Sequence, residues 1–82
     1  MDLIKLTEEI IKRIVSNPDN VSIKEFETEE ENTIQIEILV SEDDMGRIIG
    51  KNGKTINSIR TIVQAASSLE DNKRVRINVE AY

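Results

Sequence analysis

Between residues 2 and 16 the apolar positions Leu3, Leu6, Ile10 and Ile14 recur at helical spacing, widened by Ile4, Ile11 and Val15. The pattern predicts an amphipathic helix. Asn17-Pro18-Asp19-Asn20 ends it, because proline disfavours a helical residue before it and its neighbours favour turns. Val21 to Glu27 alternates loosely and shifts phase at Phe26, which predicts a strand with a bulge. The acidic run Glu27 to Glu31 reads as a solvated turn. Thr33 to Val40 is the clearest strand, with Ile34, Ile36, Ile38 and Val40 on one face and Gln35 and Glu37 opposite. Ser41 reads as the N-cap of a short helix over 44–49, with Glu42, Asp43 and Asp44 favouring its dipole. A second helix over 53–69 would bury Ile56, Ile59, Ile62, Val63, Ala66 and Leu69. Arg74 to Glu80 is a strand, with Val75, Ile77 and Val79 inward and Arg74, Arg76 and Asn78 outward.

The predicted order is α-β-β-α-α-β. This is an α+β sandwich, with three helices on one face of a three-stranded sheet. At 82 residues there is room for one core only, so an active-site cleft between lobes is not expected. No repeat, linker or low-complexity segment interrupts the chain. The longest apolar runs, such as Ile38-Leu39-Val40, are far too short to span a bilayer. The N-terminus lacks the cationic and apolar segments of a signal peptide. With Met1 opening the chain and a strand nearly closing it, the expectation is a complete cytoplasmic protein.

Charge changes the picture. The net charge of −5 argues against a polyanionic ligand, but its distribution does not. Residues 1–44 carry 4 basic and 13 acidic groups, net −9; residues 45–76 carry 7 basic and 2 acidic groups, net +5. A polyanion should therefore dock on the second segment. Within it, all 3 glycines (Gly46, Gly50 and Gly53) fall inside eight residues, although glycine is costly in helices. A Gly-x-x-Gly between two helices allows a tight turn and a close backbone approach beside a positive dipole end. Arg47, Lys51, Lys54 and Arg60 add charge, with no acid between Met45 and Leu69. Together these suit a phosphodiester backbone. A plain helix–turn–helix corner, with Gly50 as C-cap, is the competing explanation of the glycines alone.

Other chemistries fit poorly. A phosphate-binding loop ending at Gly53-Lys54-Thr55 would need glycine where Ile48 stands, and a dinucleotide fingerprint fails on the Gly46–Gly50 spacing. Cys and His are both absent, so Ser58, Ser67 and Ser68 have no base, and neither a catalytic group nor a metal site is expected. No cofactor is expected either. Lys5, Lys12 and Arg13 alternate with Glu8 and Glu9, a solvated face rather than a membrane anchor. Only Phe26 and Tyr82 are aromatic, so base-stacking platforms are nearly missing.

The stretch Gly46-Arg47-Ile48-Ile49-Gly50-Lys51-Asn52-Gly53-Lys54-Thr55-Ile56 resembles the signature of KH RNA-binding domains: an apolar pair, both glycines, and an apolar residue three after the second. The element order resembles the type II topology, and size and acidity resemble the short bacterial KH proteins of the KhpA type. The resemblance implies a single KH domain over 1–82, with an N-terminal helix and strand extension over 1–32 and a core over 33–82. It implies a Gly-x-x-Gly loop at 50–53 that clamps about four nucleotides of single-stranded RNA. Gly50 and Gly53 would touch the RNA backbone, with Lys51 and Asn52 at the tip. Val40 and Ile49 would wall an apolar groove, and the strand holding Arg74, Val75 and Arg76 would form its other side. Gly46, Arg47, Lys54 and Arg60 complete the RNA-binding set, while Ile56 serves the core.

The resemblance further implies an RNA chaperone or post-transcriptional regulator, tied to cell shape. It would act as a homodimer or with a larger KH-containing partner. A protein–protein adaptor with little RNA binding is the alternative. Joining two weak grooves would raise overall affinity. Helix 53–69 is the candidate dimer surface, through Ile59, Ile62, Val63 and Ala66.

Overall fold

A computed structural model describes residues 2–82; Met1 lies outside them. Its first helix, α1, spans Leu3–Ile14, and the Asp2 carboxylate caps it by accepting from the Ile4 and Lys5 N–H groups at 3.0 and 3.2 Å. Its centre of burial is Leu3, Thr7 and Ile11, rotated from the expected line through Leu6. Thr7 can sit there because its hydroxyl donates to the Leu3 carbonyl at 2.7 Å. A single 3₁₀ turn at Pro18–Asn20 leads into β1, Ser22–Glu27.

β1 pairs antiparallel with β2, Thr33–Val40, in unbroken register from Ser22↔Leu39 to Glu27↔Ile34. The expected bulge is therefore missing. Phe26 keeps phase and projects, 48% exposed, from the sheet face that no helix covers. β2 is the central strand, and β3, Arg74–Ala81, lies parallel to it on the far side. Alternation along β2 puts Ile34, Ile36, Ile38 and Val40 under the helices and leaves Gln35, Glu37 and Leu39 on the open face. The core is wholly aliphatic. These four meet Leu3, Ile11, Ile48, Ile56, Ile59, Val63 and Ile77.

Parallel β2 and β3 cannot be joined by a hairpin, so residues 41–73 cross over the core as two helices. These are α2, Met45–Ile49, and α3, Lys54–Glu70. The expectation for the start of α2 needs correction. Ser41 makes no side-chain cap; instead a 3₁₀ turn, Glu42–Asp44, precedes α2, and the Ser41 hydroxyl accepts from Asn20. Asp44 does not cap α2 either. Its side chain is 1% exposed and reaches back to the end of α1. It accepts from the Ser16 N–H at 2.8 Å and from the Asn17 N–H and side-chain amide, both at 3.1 Å. One carboxylate thus fastens the N-terminal helix to the helix that carries the glycine loop.

The Ser16 N–H above all, helped by Asn17 and Arg47, holds the Asp44 carboxyl below its ordinary value of 3.8 against the opposing effect of burial. A lowered folded-state value means stability that is complete above the unfolded pKa and lost as pH falls through the folded one. Thermal unfolding of wild type and Asp44→Asn should therefore differ by a constant Tm gap above about pH 5, and the gap should shrink below about pH 4. A pH-independent gap would assign the effect to shape rather than charge.

Candidate nucleic-acid interface

The reversal between α2 and α3 occupies four residues, and three of them have positive φ. Gly50 lies at φ 74°, ψ 179°, Asn52 at φ 56°, ψ 30°, and Gly53 at φ 75°, ψ 11°. Glycine and asparagine are the residue types that enter this region at least cost, so Gly-Lys-Asn-Gly is matched to the bend residue by residue. The Gly50 N–H closes α2 on the Gly46 carbonyl at 2.9 Å, and the Gly53 N–H returns to the Gly50 carbonyl at 3.3 Å. Lys51, Asn52 and Lys54 stand exposed, and Lys51 and Lys54 have no ion-pair partner among the described residues. Gly53 caps α3 without a side-chain hydrogen bond, leaving the helix's positive end beside these lysines.

The two loop glycines are glycine for different reasons. A Cβ on Gly53 would meet nothing closer than the Asn57 amide nitrogen at 3.7 Å, so that side of the bend is open. A Cβ on Gly50 would overlap Thr55, with Thr55 Cβ at 2.7 Å and its backbone nitrogen at 2.9 Å. Gly50 is thus bare because the chain's own Thr55 occupies the space, and not to admit a ligand on that side. Gly46 has open space around it on exposed α2.

Around the loop, Arg47 is exposed and lies 3.9 Å from Asp44, and Ile49 is 39% exposed at the end of α2. The sequence set is otherwise divided. Val40 is fully buried under the helices, in the same core as Ile48, and cannot wall a groove. Arg76 projects from the opposite, open face of the sheet, where Glu30 accepts from its Nη2 at 2.7 Å. Arg60 is held by the fold: its Nε and Nη2 donate to the Ile77 carbonyl at 3.3 and 3.1 Å, and its Nη1 to Asn57. Ile59 and Val63 are core residues and cannot form a dimer surface. Ile62 and Leu69, expected inside, are 50% and 87% exposed, with Ala65 exposed and Ala66 half-buried between them.

Sequence reading missed a polar seam on α3. Arg60, Gln64 and Ser67 all bond the outer edge of β3. Gln64 accepts from the Val75 N–H and donates to the Lys73 carbonyl, both at 2.9 Å, and Ser67 donates to the same carbonyl at 2.8 Å. Only the spacing of 60, 64 and 67 along one side of a helix could have hinted at it. α3 therefore runs antiparallel to β3, which puts its start and the loop toward the C-terminal, upper end of β3; past Ile77 no described side chain bonds that edge.

A model of the KH domain of KhpA and KhpB matches residues 4–79. The chain belongs to this KH-domain family. The RNA-binding protein KhpA of Clostridium perfringens is 40% identical over 75 residues, which cover 92% of this chain and 96% of that one. KhpA of Thermotoga maritima is 39% identical over 75 residues, covering 92% and 95%. Among solved structures, Era in complex with MgGDPNP and nucleotides 1506–1542 of 16S ribosomal RNA superposes with a TM-score of 0.72 at 19% identity. The match takes in 96% of this chain and 29% of Era, and it speaks for the KH fold alone. The type II arrangement expected from the element order is the one found.

A glycine series follows from this geometry. Gly50 sits where essentially only glycine goes, so Gly50→Ala should cost at least about 1–3 kcal/mol by urea unfolding. Gly53→Asn should stay within about 1 kcal/mol, since asparagine accepts the left-handed region. Gly46→Ala should gain about 0.5–1 kcal/mol from helix propensity.

Proposed function

We propose that this protein binds single-stranded RNA and acts by binding, not by turnover. The carrying observation is the exposed Gly-Lys-Asn-Gly bend, open at Gly53 and flanked by unpaired Lys51 and Lys54 on an otherwise anionic chain. The phosphate thread would run over Gly53, with Arg47, Lys51 and Lys54 beside it. About four nucleotides would lie in the groove between Ile49 on one side and the upper, unbonded edge of β3 on the other. This places the groove's far wall above Ile77 and leaves Arg74 and Arg76 out of it. Family membership supports the RNA reading, and the RNA named with Era, a protein of the same fold, accords with it.

A single groove of this size binds weakly, so the working form is a pair of KH domains, either two copies or one copy with a larger KH-containing partner. Ile62, Ala65, Ala66 and Leu69 would form the contact, an apolar stripe that the fold leaves uncovered. In this form the protein would serve as an RNA chaperone or post-transcriptional regulator in the cytoplasm.

Fluorescence anisotropy with short RNAs should show affinity falling with salt at a log–log slope of about −2, the value for three phosphate contacts. Lys51→Asp with Asn52→Asp should weaken binding on the order of tenfold or more while circular dichroism stays native. Unchanged affinity in that double variant would remove the loop from the RNA site. For the pair, sedimentation should show a dimer in wild type and a folded monomer in Ile62→Glu. Ile59→Glu should unfold, because it buries an unpaired charge. No RNA binding even at low salt, together with a dimer that Ile62→Glu breaks, would favour the protein–protein adaptor.

A further inference from the structure

Thr55 has no part in the binding set above, yet it is the residue that Gly50 is shaped around. We infer that Thr55 is a positioning residue for the RNA-binding loop: its side chain, seated where Gly50 lacks a Cβ, holds the bend in its bound-ready form. The inference rests on the RNA reading of the loop.

Three observations carry it. First, the fit is close on more than one atom, since both the side chain and the backbone nitrogen of Thr55 border the empty position on Gly50. Second, Gly50 is the hinge of the loop. Its N–H ends α2 and its carbonyl receives the Gly53 N–H, so a shift at Gly50 moves the open side at Gly53. Third, the Thr55 hydroxyl makes no hydrogen bond among the described residues. Elsewhere on α3, Ser58, Thr61 and Ser67 each donate to a backbone carbonyl, at 2.9, 3.0 and 2.8 Å. What Thr55 brings is shape, a β-branched side chain with a stiff χ1 in a helix. Glycine at φ 74° is otherwise free to leave, because it enters many conformations at little cost.

A role in shape predicts that valine replaces threonine and alanine does not. Amide hydrogen exchange of the free protein reads the loop without any ligand. In Thr55→Ala the Gly50 and Gly53 amides should exchange on the order of tenfold faster, while core amides of β2 are unchanged. Thr55→Val should stay within about threefold of wild type. With RNA, Thr55→Ala should lose on the order of tenfold in affinity with the salt slope preserved, because no phosphate contact is removed, and Thr55→Val should bind as wild type. Equal losses of affinity in the valine and alanine variants, with exchange untouched, would mean that the hydroxyl touches RNA and would overturn the inference. Unchanged exchange in Thr55→Ala would overturn it too. Should that variant not fold, Thr55→Ser carries the same test, because loss of the branch frees the rotamer: faster exchange at Gly50 supports the inference and none refutes it. Absence of RNA binding in wild type would defeat the RNA reading, and the exchange comparison would then decide by itself whether Thr55 shapes the loop.

Discussion

Two neighbouring strands that run the same way impose the rest of this architecture. The chain leaves β2 at one end of the sheet and must enter β3 at the other, so it has to cross the core. It does so with a short helix out and a long helix back, and the reversal between them falls beyond the end of the sheet. A reversal in four residues needs left-handed backbone, and left-handed backbone needs glycine or asparagine. The bend is thereby stripped of bulk and sits against the positive end of α3. The topology forces a bare bend, and Lys51 and Lys54 stand exposed beside it.

Charge is sorted along the same axis. The acidic turn between β1 and β2 and the C-terminal end of α3 lie at the pole away from the loop, where Glu30 neutralises Arg76. A helix of this length separates the poles by about 25 Å, well beyond the screening length of about 8 Å at physiological ionic strength. Those acids therefore do not cancel the lysines locally, whereas Glu42, Asp43 and Asp44 stand directly ahead of α2, on the loop's side of the molecule, with Asp44 3.9 Å from Arg47.

Much of this was legible in the residues. Period-2 alternation in Thr33–Val40 and the glycine cluster located the central strand and the loop, because burial on one face and backbone freedom both leave a mark on residue type. Most of what escaped depends on which partners the fold brings to a side chain. Asp44 looks like a helix-start acid, and only the approach of Ser16 and Asn17 makes it a clamp. Thr7 breaks the apolar pattern of α1 yet sits at its centre, since one local hydrogen bond removes the cost of its hydroxyl. On α3 the apolar residues outnumber a single buried stripe, and sequence could not say which were surplus. The fold buries Ile59 and Val63 and leaves Ile62 and Leu69 outside. The same holds for Arg60, Val40 and Arg76, which the fold respectively bonds to Ile77, buries, and pairs with Glu30. Charge and hydropathy give a side chain's chemistry, while its face is set by register.

The seam of Arg60, Gln64 and Ser67 ties these strands of argument together. β3 is an edge, and an unprotected edge invites pairing with another chain. α3 closes its lower part through Lys73, Val75 and Ile77 with side chains rather than with another strand. The covering ends at Arg60, in the second turn of α3, and α3 itself begins at Lys54, directly after the loop. Past Ile77 the outer edge of β3 receives no side-chain hydrogen bond among the described residues. One helix thus packs on the core through Ile59 and Val63 and closes part of the sheet's edge through its polar seam.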